Sequence, residues 1–198
     1  MRALNPEFLW LWVRCWSIRP LLTLATATSI GWFVVPVGPV AVPAGGGVES
    51  LLWPLLPTAA VLAVPALVAT ADGELERVTG RCELAVRVRA LAWTSAVLSL
   101  VAIMGGRFDA DVVWRNTALL AGAALLASIL LPAGSAWQPL VLIPLVCWLL
   151  GTDRHRHIRS WAVLLAPSER GSAEVTALVV LGTGVVAYLL VPWARRRS

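Results

Sequence analysis

The chain has no lysine: its basic residues are 16 arginines in 198 positions. A P-loop needs a lysine to reach the nucleotide phosphates, and no GxxxxGK[ST] run is present. ATP is therefore not bound and split by that route within this chain. Charge of either sign is scarce, 14% of residues against roughly a quarter in a soluble domain. That scarcity excludes an ordinary water-facing fold. Cysteine is limited to Cys15, Cys82 and Cys147, too far apart for metal-ligand spacing or a disulfide framework. There is no HExxH helix, no GxSxG elbow and no DxxD cluster. Glu74 and Glu76 beside Arg77 do not form the paired-glutamate arrangement of intramembrane prenyl-protein peptidases. No catalytic constellation, cofactor site or metal site is expected. His155 and His157 lie among three arginines, whose charge repels a metal ion, so that run reads as a solvated basic loop touching anionic headgroups.

What is present is apolar. The chain is 59% hydrophobic with a mean hydropathy of +0.79. The apolar residues are blocked into runs of about 20 rather than spread at period 2 or 3.6, which predicts a polytopic helical membrane protein. The expected architecture is all-α: a single transmembrane domain over 1–198 with about six spans and an interfacial N-terminal helix. The 11 tryptophans suit interfacial anchoring. Arginine-only basic usage, with abundant Ala, Val, Leu, Gly and Pro, points by association to a GC-rich bacterial genome and hence to the plasma membrane. The net charge of +5 gathers at predicted membrane faces, so it reads as topology signal and lipid contact rather than nucleic-acid binding.

Residues 1–19 carry no cleavage signal. Asn5-Pro6-Glu7 resembles a helix start, and the aromatics that follow fit a helix lying in the cytoplasmic interface. Span 1 is predicted over about 20–42, with Pro36 and Pro39 in its outer third. The uncharged 44–47 turn leads to span 2 over about 49–71, made irregular by Pro54, Pro57 and Pro65. Span 3 covers about 90–105, followed by a polar loop through Asp109 and Asp111, with Trp114 at the interface. The next apolar segment, 116–150, holds 35 residues. One helix of that length would run about 52 Å against a hydrocarbon core of about 30 Å. It must break, and Pro132-Ala133-Gly134-Ser135 is the predicted break. That leaves span 4 over about 116–132 and span 5 over about 136–151. Ala121, Gly122, Ala123 and Ala127 allow close helix approach in span 4. A polar loop over 152–173 follows, whose 161–167 piece is too short to span and either re-enters or lies flat. Span 6 covers about 174–193, with Gly182 and Gly184 as close contacts. No Asp, Glu, Arg or His falls in the middle of a predicted span, so an ion-coupled transporter lacks its expected residues.

The densest charge lies at 72–89, where eight of 18 residues are ionisable. Acids dominate its first half and arginines its second, as a helix dipole favours. Leu75, Val78, Cys82 and Val86 form an apolar stripe, and Glu83 and Arg87 an i,i+4 pair. A cytoplasmic amphipathic helix at the membrane surface is expected. With the N-terminus cytoplasmic, ten arginines fall inside, Arg87 among them, and six outside, Arg115 among them.

Two spans, a charged cytoplasmic segment, three spans, an irregular outer loop and a last span together resemble the six-helix membrane subunit of ABC-2-type exporters. LERVTGRCELAVRVRALAW (75–93), RNTALLAGAALL (115–126) and WAVLLAPSERGSAEVTALVVLGTGVVAYLL (161–190) are similar to small actinobacterial membrane proteins of that permease type. The chain departs from the larger permeases in length and in lacking their glycine-and-proline signature after the coupling segment. The resemblance implies that 75–89 docks in a cleft of a separate cytoplasmic ATPase. Glu74, Leu75, Glu76, Arg77, Val78 and Arg81 would make the contact, and a dimer with itself or another membrane subunit would surround one path for a peptide, drug or lipid-like compound. The other reading of the same residues is charge that sets topology, in a non-transporting scaffold or an immunity or assembly protein.

Overall fold

Asp109 opens the longest helix. Its backbone is extended, and its Oδ1 accepts the N–H groups of Asp111 and Val112 at 3.2 Å, satisfying two of the donors a helix start leaves free. The structure, a computed structural model, describes residues 53–62 and 109–190 apart from 133, 154 and 156. It also describes helix or strand positions 26, 30, 34, 40, 41, 49, 50, 64, 65, 68, 87, 88, 91, 92, 94–96, 98, 99 and 103.

Two-residue strands β1 (Val40–Ala41) and β2 (Glu49–Ser50) pair antiparallel. A 3-10 turn at Trp53–Leu55 leads into α1 (Pro57–Val61). Three longer helices follow: α2 (Ala110–Leu130), α3 (Gln138–Leu150) and α4 (Gly171–Leu190), with a second 3-10 turn at Val163–Leu165 between the last two. The fold is helical, and α2 and α4 are long and apolar enough to cross a membrane, with mean hydropathies of 1.5 and 1.9.

Several predicted boundaries are corrected. Backbone at 40–41 and 49–50 is extended, so span 1 does not reach 42 as helix, nor does span 2 begin at 49. Proline explains the second shift: Pro54 and Pro57 lie in the first turn of the 3-10 and α segments, where a missing N–H costs nothing. The fourth span starts at 110 rather than 116, because the Asp109 cap converts a stretch read as polar loop into the first turns of α2. The final span starts three residues earlier than expected, at 171 rather than 174. The predicted break at 132–135 is present: Leu131 turns extended before Pro132, and Ser135 and Ala136 N–H both reach Pro132 O.

Helices α2 and α4 run in the same direction. Arg115 of α2 meets the carbonyls just ahead of α4, and Gly122 meets Val180, Leu181 and Gly184. A Cβ placed on Gly122 would fall 2.6 Å from Leu181 Cα, and one on Gly184 would fall 2.6 Å from Gly122 O. The glycines let the two backbones touch, as the small residues of span 4 predicted. Gly182, the other glycine marked as a contact, faces open space. Helix α3 returns antiparallel to α2. The N-termini of α2 and α4, the 53–55 turn and residues 151–170 therefore share one end, called here the near end. The 131–137 turn and the C-terminus of α4 share the far end. Leu120, Ala124, Leu140, Leu164, Val61 and Tyr188 lie in the core.

The outer faces of α3 and α4 stay apolar. Leu142, Ile143, Leu145, Val146 and Leu150 of α3 are exposed, as are Val175, Leu178, Val179, Val186 and Leu190 of α4. Covering each such side chain is worth about 1.5–3 kcal/mol, so a contiguous face of this kind marks an interaction surface.

Candidate functional site

The proposed docking residues Glu74, Leu75, Glu76, Arg77, Val78 and Arg81 lie outside the described residues, as do the N-terminal interfacial helix and most of the 72–89 segment. The described edge of that segment is Arg87, and its placement corrects the sequence reading. Arg87 is helical and 3% exposed rather than solvated. Its Nη1 donates to Tyr188 O at 2.8 Å, and its guanidinium lies 5.4 Å from the centre of the Tyr188 ring. Tyr188 lies near the C-terminal limit of α4 as described, toward the end where the helix dipole is negative. A guanidinium there supplies both a donor and a matching charge, and the ring face adds a cation–π contact. The sequence paired Arg87 with Glu83 on a water-facing helix. Only the fold could show that Arg87 meets α4.

Arg115 is the second correction. Counted on the outer side ahead of span 4, it lies instead within α2 and is 4% exposed. Its Nη2 donates to Ala166 O at 2.6 Å and to Val163 O at 3.2 Å, and its Nη1 to Pro167 O at 3.1 Å. Nε and Nη2 also reach Asn116 Oδ1. Asn116 Nδ2 in turn donates to Leu164 O at 2.7 Å and Pro54 O at 2.9 Å. Two adjacent side chains thus satisfy carbonyls from two 3-10 turns. In the 161–167 piece, Ala162, Leu164, Leu165 and Ala166 are buried at the near end of the bundle. Leu165 and Ala162 pack on Gly151, where an added Cβ would fall 2.8 Å and 2.9 Å from them. The sequence held one signal, an Arg-Asn pair directly before an apolar run. Nothing in the pattern tells a buried pair from an interfacial one.

Two hydroxyls of α2 are bonded within the helix. Thr117 Oγ1 donates to Val113 O and Ser128 Oγ to Ala124 O, both at 2.7 Å, which suits helices facing hydrocarbon. Beside α2 lies a cleft of about 140 Å³, walled by Ser95, Leu98, Ser99, Trp114, Thr117 and Leu181 among others.

Residues 151–159 form a small hairpin. Asp153 Oδ1 accepts the N–H groups of His155 and His157, and these bonds hold its carboxyl below the ordinary range. Among the described residues no group of three or more His, Cys, Asp or Glu could hold a metal ion. Cys147 is a buried free thiol. No protein-family model, curated protein or solved structure matches the chain.

Proposed function

We propose that this chain is a multi-pass plasma-membrane protein, the membrane-spanning subunit of an ABC-type exporter. It works with a separate ATPase on a peptide, drug or lipid-like compound. The observation that carries the reading is the bond from Arg87 Nη1 to Tyr188 O. It ties the trailing edge of the charged segment to the C-terminal part of α4, a helix whose outer face is apolar and exposed. A displacement imposed on the segment by a docked ATPase passes to α4 through this buried joint. The chain has no lysine, which supports an energy source that acts from another subunit. Within this reading the 72–89 segment is cytoplasmic, and its docking residues are Glu74, Leu75, Glu76, Arg77, Val78 and Arg81.

The test is co-purification. Full-length chain from its native membrane should bring down a P-loop ATPase. The combined changes E76K, R77E and R81E should cut the recovered ATPase at least tenfold, with membrane insertion unchanged. ATPase binding that survives the reversal sinks the docking claim.

A second reading, a non-transporting scaffold or an immunity or assembly protein, is favoured by the Arg115–Asn116 knot. Those buried polar groups hold backbone rather than line a path. Under that reading the chain isolates stably without an ATPase, and deleting its gene leaves efflux unchanged.

A further inference from the structure

The 151–159 hairpin is more ordered than a loop between two helices requires. Thr152 and Ile158 form an antiparallel bridge. Arg159 N–H donates to Gly151 O at 2.8 Å and Asp153 N–H to His157 O at 3.0 Å. Asp153 is the only acid in 151–168, and its carboxylate is engaged by the turn itself. Oδ1 accepts backbone N–H groups at 2.8 Å and 2.9 Å, and Oδ2 lies 3.7 Å from His157 Nδ1. The outward charge is therefore basic. His155 and Arg159 are exposed, and the His157 side chain is 82% exposed. The sequence adds Arg154 and Arg156, so the hairpin has three arginines against one aspartate.

Aromatics set the level of this patch. Trp161, directly after the hairpin, is 46% exposed, and Trp114 at the same end of the bundle is 54% exposed. Indoles of this kind settle at headgroup depth. The basic hairpin beside them therefore meets the lipid phosphates.

We propose that the 151–161 hairpin and its tryptophan form a binding surface for phosphate-bearing anionic lipid headgroups. The guanidinium groups pair with phosphate oxygens, which they fit better than an ammonium would. Bonding Asp153 to the turn amides shapes the hairpin and leaves one negative charge against three arginines. The inference requires the bundle to lie in a membrane but does not depend on an ATPase.

The test uses the full chain in uncharged detergent micelles. It is titrated with phosphatidylglycerol or phosphatidylcholine of matched acyl chains, and lipid retention is read by native mass spectrometry. Phosphatidylglycerol should be retained at least tenfold better at low salt, and the preference should collapse near about 0.5 M salt. Each arginine near a charged headgroup layer is worth about fivefold. Changing R154Q, R156Q and R159Q together should therefore remove most of the preference. D153N keeps an oxygen for the turn amides, removes a negative charge and should raise the preference several-fold. Equal retention of the two lipids by the unaltered chain would overturn the proposal, as would an unchanged preference in the triple variant. Displacement of bound phosphatidylglycerol by an equal concentration of glycerol phosphate would also overturn it, assigning the patch to a soluble phosphate ester. ATPase recovery, which the exporter reading needs, is measured separately and should not change in the triple variant.

Discussion

At the residue scale, glycine and arginine carry opposite lessons. Gly122 was legible as a close-approach position because it sits among alanines in an apolar run, and backbone contact in a membrane bundle needs small side chains. Gly182 looked equivalent to Gly184, yet only Gly184 faces α2. The two are two positions apart, about 200° around a helix, so they cannot both face the same neighbour. The structure thus predicts unequal effects. Gly122→Leu forces backbone apart along the α2–α4 seam and should destabilise the chain by about 3 kcal/mol or more, beyond the usual range for overpacking because the clash is with backbone. Gly182→Ala meets open space and gains helix propensity, so it should be neutral or stabilising by up to about 1 kcal/mol. Thermal unfolding in detergent, followed by exposure of buried Cys147 to a maleimide, distinguishes the two. Equal midpoints for the two variants would mean the seam is not packed as described. Arg87 and Arg115 were misplaced for a different reason. An arginine near the end of an apolar run is usually solvated, and only tertiary neighbours tell which carbonyls it serves.

At the element scale, the broad blocks were readable and the short pieces were not. Apolar runs and the Pro-Ala-Gly-Ser break located α2, α3 and α4, since a bilayer limits how long one helix can be. Helix starts were missed where a cap lay inside a cluster of charge, as at Asp109. The 3-10 turn at Val163–Leu165 has no periodicity to announce it, and its place in the bundle is set by Arg115 and Asn116 on another element. Arg115→Met should therefore leave several buried acceptors unpaired, at about 1–3 kcal/mol each. The 160–170 segment should loosen first. Trypsin should cut after Arg159 and Arg170 at least tenfold faster in this variant than in the unaltered chain in the same micelles. Arg115→Lys should rescue only part of the protection, since one ammonium cannot span three carbonyls as a planar fork does. Unchanged cleavage in the Met variant would show that the knot does not hold the turn.

At the scale of the whole molecule, the proposed function asks how a helix as short as α3 would cross a membrane. Helix α3 has 13 residues, about 20 Å of rise against a core of about 30 Å. Non-helical backbone is tolerated at membrane depth only where protein groups satisfy it. At the near end Arg115 and Asn116 do this for 163–167, so the missing length is made up by an inserted, internally bonded turn rather than by more helix. A bilayer also thins locally around short segments at modest cost. If α3 crosses in this way, the 131–137 turn and the 151–159 hairpin lie on opposite sides of the membrane, and the proposed function puts the turn, at the Arg87 end, on the cytoplasmic side. Single-cysteine labelling tests this directly. With Cys15, Cys82 and Cys147 replaced, His155→Cys should react with an impermeant maleimide in intact cells, and Gly134→Cys only after the membrane is opened. Labelling of both positions from the same side would make α3 a re-entrant piece. It would move the arginines of the hairpin to the cytoplasmic side and leave α2 and α4 as the only crossings in the second half of the chain.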